Sequence, residues 1–216
     1  MALNIINCMS SNILKPNASN PLYLIPNLVF YYPFNNDYLN YATGTGVASG
    51  TNNGLTISNT IYKYGSGSLA HNITEAVATH NFNLPSVTNT KGYTFSFWIN
   101  ITVWPTPYSS SYNGGIFVFS DSAATTPLNR MSIYCSTTSG QFNITCGTSG
   151  YQCIPVSQLI QLNTWYHLAW TLDTAGNSKH YINGILASSY TGINYIKPTW
   201  NYNYLFGNPV NYNFSG

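Results

Sequence analysis

From Trp165 to Asp173 the side chains alternate. Tyr166, Leu168, Trp170 and Leu172 fall on one face, and Trp165, His167, Ala169 and Thr171 on the other. A period of two belongs to an extended strand and rules out a helix over this stretch. A polar turn, Thr174 to Ser178, reverses the chain into Lys179 to Ile182, and Asn183-Gly184 reverses it again into Ile185 to Ser189. Asn-Gly accommodates the two positive φ angles of a tight type I′ turn, so the spacing predicts a three-stranded meander. Tyr93, Phe95, Phe97 and Ile99 alternate in the same way with Thr94, Ser96, Trp98 and Asn100. So apolar a strand is normally central, and Trp98 is assigned on that ground to core or inter-sheet packing.

Further strands are expected at Leu28 to Phe34, Leu55 to Ser58, Ser68 to His71, Val77 to Phe82, Ile116 to Ser120 and Tyr204 to Gly207. Met131 to Cys146 reads as a hairpin turning at Gly140-Gln141, with Met131, Ile133, Cys135, Phe142, Ile144 and Cys146 on one apolar face. Between Gly147 and Gln161 one short strand or one turn of helix is expected. Residues 1–26 are polar and broken by Pro16, Pro21 and Pro26, which predicts an extended arm ahead of a single domain over 27–216. All this fits one all-β sandwich, an ordinary architecture for 216 residues.

Only 5% of the residues are charged, against about 25% in typical soluble domains. Solubility therefore rests on uncharged Asn, Ser, Thr and Tyr. A near-neutral surface repels copies of itself weakly and suits dense packing against other copies or coat proteins; a soluble extracellular lectin with a polar surface is the other reading. A net charge of +2 without a basic cluster argues against nucleic acid as a partner. No window approaches the roughly 18 apolar residues of a membrane span. The opening MALNIINCMSSNILKP lacks the basic start and apolar core of a secretion signal. Location on a virion or an extracellular surface is expected from these features together.

The hairpin register read from Gly140-Gln141 sets Cys135 opposite Cys146, so a disulfide between them is conceivable. Cys146 with Cys153 is the rival pairing, and reduced buried cysteines are the third possibility. Nothing resembles a zinc-binding pair of C-x-x-C motifs. Sequons at Asn17, Asn72, Asn100, Asn143 and Asn213 are no more than the abundance of Asn, Ser and Thr would produce by chance.

Trp165, His167 and Ala169, a turn after Asp173, then Tyr181, Asn183 and Gly184 together resemble a section of laminin-G-like domains in the concanavalin A-like lectin/glucanase superfamily. Phe95-Ser96-Phe97-Trp98 is similar to a second motif of that family, and Gly65-Ser66-Gly67 followed by Leu69 to a third. The resemblance implies a two-sheet antiparallel jelly-roll sandwich. In the family a further strand follows the F-x-G that Phe206-Gly207 approximates, so the last strand is expected to be lacking. That slot is then open to the amino-terminal arm, to a partner chain, or to a segment of a longer polypeptide. Relatives often hold calcium in rim loops; with so few acids, only a weak site using Asp37 or Asp121 is expected, and no other cofactor.

Glycoside hydrolysis needs two carboxyl groups about 5–10 Å apart, yet Asp37, Glu75, Asp121 and Asp173 are the only acids and are widely separated. No G-x-S-x-G elbow accompanies His71, His80, His167 or His180, and His167 and its fellows are expected to be structural. No catalytic residue or metal ligand is therefore assigned. Binding remains. Trp104, Tyr108 and Tyr112 in one loop, and Trp200, Tyr202 and Tyr204 in another, are the candidate contacts to glycan or protein partner, because flat rings stack on sugar C–H faces and also anchor interfaces.

Overall fold

A computed structural model of the chain describes residues 2–4, 31–41, 47–48, 51–70, 79–81, 92–103, 114–120, 129–135, 141–148, 152–193 and 202–205. The strands are β1 (Ala2–Asn4), β2 (Leu39–Asn40), β3 (Val47–Ala48), β4 (Thr51–Asn53), β5 (Thr56–Ser58), β6 (Ser68–Ala70), β7 (Thr79–Asn81) and β8 (Tyr93–Asn100). They continue with β9 (Gly114–Ser120), β10 (Asn129–Cys135), β11 (Gln141–Thr148), β12 (Gln152–Leu159), β13 (Trp165–Leu172), β14 (Ser178–Ile182), β15 (Ile185–Tyr190) and β16 (Tyr202–Leu205). Among the described residues there is no helix.

Two seven-stranded sheets, ordered β15-β14-β13-β8-β1-β6-β5 and β12-β11-β10-β9-β16-β7-β4, carry the fold, and β2 and β3 form a small separate ladder. The pairings are antiparallel throughout. The architecture is the two-sheet antiparallel sandwich that the alternating runs demand. β1 fills the place beside β8, with Leu3 opposite both Ile99 and Leu69.

The inward residues of the two long strands weld the sheets. Phe95 lies 4.9 Å from Phe117, 5.2 Å from Phe119 and 5.4 Å from Trp170, ring centre to ring centre. Such ring pairs add about 0.5–1.5 kcal/mol each beyond the area they bury. Phe97, Ile99, Leu168 and Leu172 on one sheet, and Ile133, Phe142 and Ile144 on the other, complete the core. The meander follows its turn chemistry: Asn183 and Gly184 have φ of 52° and 81°, and Ile182 pairs with Ile185 across them.

Four expectations need correction. Tyr31 to Phe34 belong to no ladder, although Tyr31, Tyr32 and Phe34 are buried. Pro33 has no N–H to offer, and Phe34 turns to a φ of 51°. Residues 152–159 form a full edge strand rather than one short strand or helical turn; Pro155 sits on that edge, where a missing donor is tolerated. In the β10–β11 pair Cys135 stands opposite Phe142 and Cys146 opposite Met131. Cys135 and Cys146 are thus four residues apart along the ladder, ~13 Å at the strand rise, beyond the reach of a disulfide. The slip is even, so Ile133, Phe142 and Ile144 keep their buried face. Lastly, Trp98 does not enter the inter-sheet core. It shares the outward face with Thr94, as the alternation along β8 requires.

Candidate functional site

The outward face of the first sheet carries an aromatic cluster built on β8 and on the segment between β5 and β6. That segment, residues 59–67, is pinned at both ends. Ser58 Oγ accepts the Ile61 N–H at 3.1 Å, and the Ser68 hydroxyl donates to the Ile61 carbonyl. Near its end the Ser66 N–H donates to Asn35 Oδ1 at 3.1 Å. A Cβ on Gly67 would come within 2.5 Å of the Asn35 carbonyl oxygen, so the G-S-G spacing reflects close backbone approach. The anchoring leaves Ile61, Tyr62, Lys63 and Tyr64 exposed in succession.

Tyr64 meets Trp98 edge to face at 5.5 Å, and the Lys63 Nζ lies 4.8 Å from the Trp98 ring centre, close enough for a cation–π contact. On the next strand His167 lies 5.2 Å from Trp98 and shares a 2.8 Å hydrogen bond between Nε2 and Ser96 Oγ. Burial pushes the His167 pKa below the ordinary histidine value, so the ring is neutral at neutral pH. The His167 backbone is tied to the Asn-Gly turn: its N–H donates to Asn183 Oδ1 at 2.9 Å, and its carbonyl accepts from the Asn183 N–H at 2.8 Å. Those two bonds account for the W-x-H and N-G elements occurring together. Two buried polar atoms on this face, Trp98 Nε1 and Asn100 Oδ1, have no hydrogen-bond partner.

At the far end of the same face a shallow depression of about 340 Å³ is lined by Gly92, Tyr93, Thr94, Thr171, Leu172, Asp173, Asn177 and Lys179. Thr171 stands opposite Thr94 on one side and Lys179 on the other. Asp173 closes the turn beside it. Its Oδ1 accepts the N–H groups of Ala175 and Asn177, both at 2.9 Å, and its Oδ2 accepts the Asn177 amide at 2.8 Å. The Asn177 side-chain bond first, then these backbone bonds, hold the carboxyl below the usual Asp pKa. Asp37 is spent in the same manner, accepting the Tyr41 hydroxyl at 2.7 Å and the Leu39 N–H at 3.1 Å. Among the described residues no three His, Cys, Asp or Glu side chains gather as a metal site requires.

On the inner face His180 is part of a chain of hydrogen bonds. The Trp170 indole donates to Ser178 Oγ at 2.8 Å; Ser178 Oγ and His180 Nε2 are 2.9 Å apart, and His180 Nδ1 and Ser188 Oγ 3.1 Å. The indole is only a donor, so Ser178 Oγ accepts from it. Burial lowers its pKa from 6.5 to about 4.

Of the contacts expected from sequence, Trp104, Tyr108, Tyr112 and Trp200 lie outside the described residues, as does Asp121. Tyr202 and Tyr204 are not in a loop: they lie in β16, inside the second sheet, opposite Ser120 and Val118 of β9. Lys63 and Tyr64 were missed. Their signal was the run I-Y-K-Y directly ahead of G-S-G.

Solved structures share this fold. Domain 4 of AbnA, a GH43 extracellular arabinanase from Geobacillus stearothermophilus in complex with arabinotriose, superposes with a TM-score of 0.62 at 20% identity, covering 85% of this chain and 83% of that one. The binding domain of botulinum neurotoxin serotype D superposes at 0.57 and 18% identity, over 80% of this chain and 40% of that one. A botulinum neurotoxin type C structure, whose cell entry depends on interaction with two ganglioside molecules, does so at 0.52 and 16%, over 83% and 42%. No curated protein matches the sequence. No helix among the described residues is long and apolar enough to cross a membrane. The model of a laminin-G type family matches residues 72–216, two thirds of the chain, and the chain belongs to the concanavalin A-like lectin/glucanases superfamily.

Proposed function

We propose that this protein is a non-enzymatic carbohydrate-recognition module displayed on an outer surface. The observation that carries the reading is the outward, half-buried Trp98 with the exposed Tyr64 at its edge and the exposed Lys63 beside it. Rings take the C–H faces of a sugar and polar atoms its hydroxyls. Arabinotriose in the arabinanase domain and gangliosides for the type C neurotoxin support the same class of ligand. The non-catalytic half of the reading is supported by Asp37 and Asp173, whose carboxylates are each consumed by their own turn. The test is a glycan array with the unaltered chain and the Trp98→Ala, Trp104→Ala and Trp200→Ala variants. Binding that Trp98→Ala abolishes supports the proposal, while an array without binding, or hydrolysis of a bound polysaccharide, refutes it.

A second reading, a virion or coat component that packs against other copies, rests on a different observation. Leu159 on β12 and Ile185 and Leu186 on β15 are more than half or half exposed, at 57%, 71% and 50%, on two edge strands that adjoin. Sedimentation over a range of concentrations, with Ile185→Lys as the control, checks it. A monomer at every concentration rejects it.

A further inference from the structure

We infer that Lys63 makes the Trp98 site selective for acidic saccharides, those carrying a carboxylate; the inference rests on the carbohydrate reading above. Lysine is scarce here, with five in 216 residues. One of the five is held at the aromatic cluster, its Nζ 4.8 Å from the Trp98 ring centre and 5.9 Å from that of Tyr64. Among the described residues it forms no ion pair, and the carboxylates of Asp37 and Asp173 are bonded into turns elsewhere. Lys63 itself is exposed, on a segment fastened at Ser58, Ser68 and Asn35.

Apart from Lys63, the cluster presents neutral groups. His167 is uncharged at neutral pH and bonded to Ser96, Tyr64 is a phenol, and the Trp98 N–H is buried. A neutral sugar uses the rings and gains little from an ammonium group. A sugar carboxylate accepts from the Lys63 Nζ while its ring packs against Trp98 and Tyr64, which adds a charge-assisted hydrogen bond to the same stacking. One such bond corresponds to about a tenfold difference in affinity. Because Lys63 is exposed, that difference is screened by salt.

The experiment measures affinities of the full chain for oligosaccharide pairs that differ only in a carboxylate, such as sialyllactose against lactose and digalacturonate against galactobiose. It repeats them with Lys63→Gln. The expected result is about tenfold tighter binding of the acidic member, narrowing with added salt and disappearing in Lys63→Gln. Equal affinity for both members, or a preference that survives Lys63→Gln, overturns the inference and leaves the carbohydrate reading standing. Failure of every saccharide in the panel to bind overturns both.

Discussion

Acid weakens this fold through His180, and the size of the effect follows from its burial. The ring is buried on the inner face, 2% exposed, with Ser178 and Ser188 as its hydrogen-bond partners. Burial opposes the charged ring, and the pKa falls from 6.5 to about 4. The folded-state pKa is the depressed one, so the unfolded chain takes up the proton first as the pH drops. The stabilisation is complete above about pH 6.5, is lost as the pH falls from there towards about 4, and changes no further below that. At about 1.4 kcal/mol per unit, the loss between about pH 7 and pH 4.5 is about 2 kcal/mol. His167, also depressed, adds a smaller loss of the same sign. Asp173 acts only below its ordinary value of 3.8, outside the window. Urea denaturation of the unaltered chain and of His180→Gln at both pH values isolates the residue, because a fixed penalty for the substitution cancels in the difference. His180→Gln should lose about 2 kcal/mol less on acidification. Parallel profiles would refute the reasoning.

Other outcomes can be checked in the same way. Gly184→Ala has open space around the new Cβ but a φ of 81°, so it should cost about 1 kcal/mol. Gly92→Ala combines a φ of 106° with a Cβ 2.3 Å from the Leu172 carbonyl oxygen and should cost about 3 kcal/mol; equal losses in denaturant would contradict the steric part. Asn183→Ala loses both the tolerance for positive φ and the acceptor for the His167 N–H, about 1–2 kcal/mol, with Asn183→Asp recovering most of it. Peptide mapping without reductant should find no Cys135–Cys146 bridge.

Where local chemistry and periodicity agree, the residues announce their structure. β13 to β15 were readable because alternation names the buried face and Asn-Gly names the turn. Trp98 was misplaced for an instructive reason: its apolarity was weighed above its parity, although Phe95, Phe97 and Ile99 already claimed the inner face. The β10–β11 register was out of reach because a slip of four residues leaves every side chain on its original face. The polar chain through Trp170, Ser178, His180 and Ser188 was equally hidden, since serine in a strand looks like an outward residue until a tertiary partner is known. At the site itself, only the outwardness of Trp98 was implicit. The arrival of Lys63 and Tyr64 depends on a long-range anchor at Asn35 that no periodicity encodes.

The proline in the outermost strand of the second sheet has a bearing on how copies of this molecule could assemble. A rim with an interrupted row of donors is a poor template for continuing the sheet into a neighbour. Copies that meet at that rim would be cemented by side chains laid against side chains, and could come apart and reform without unfolding.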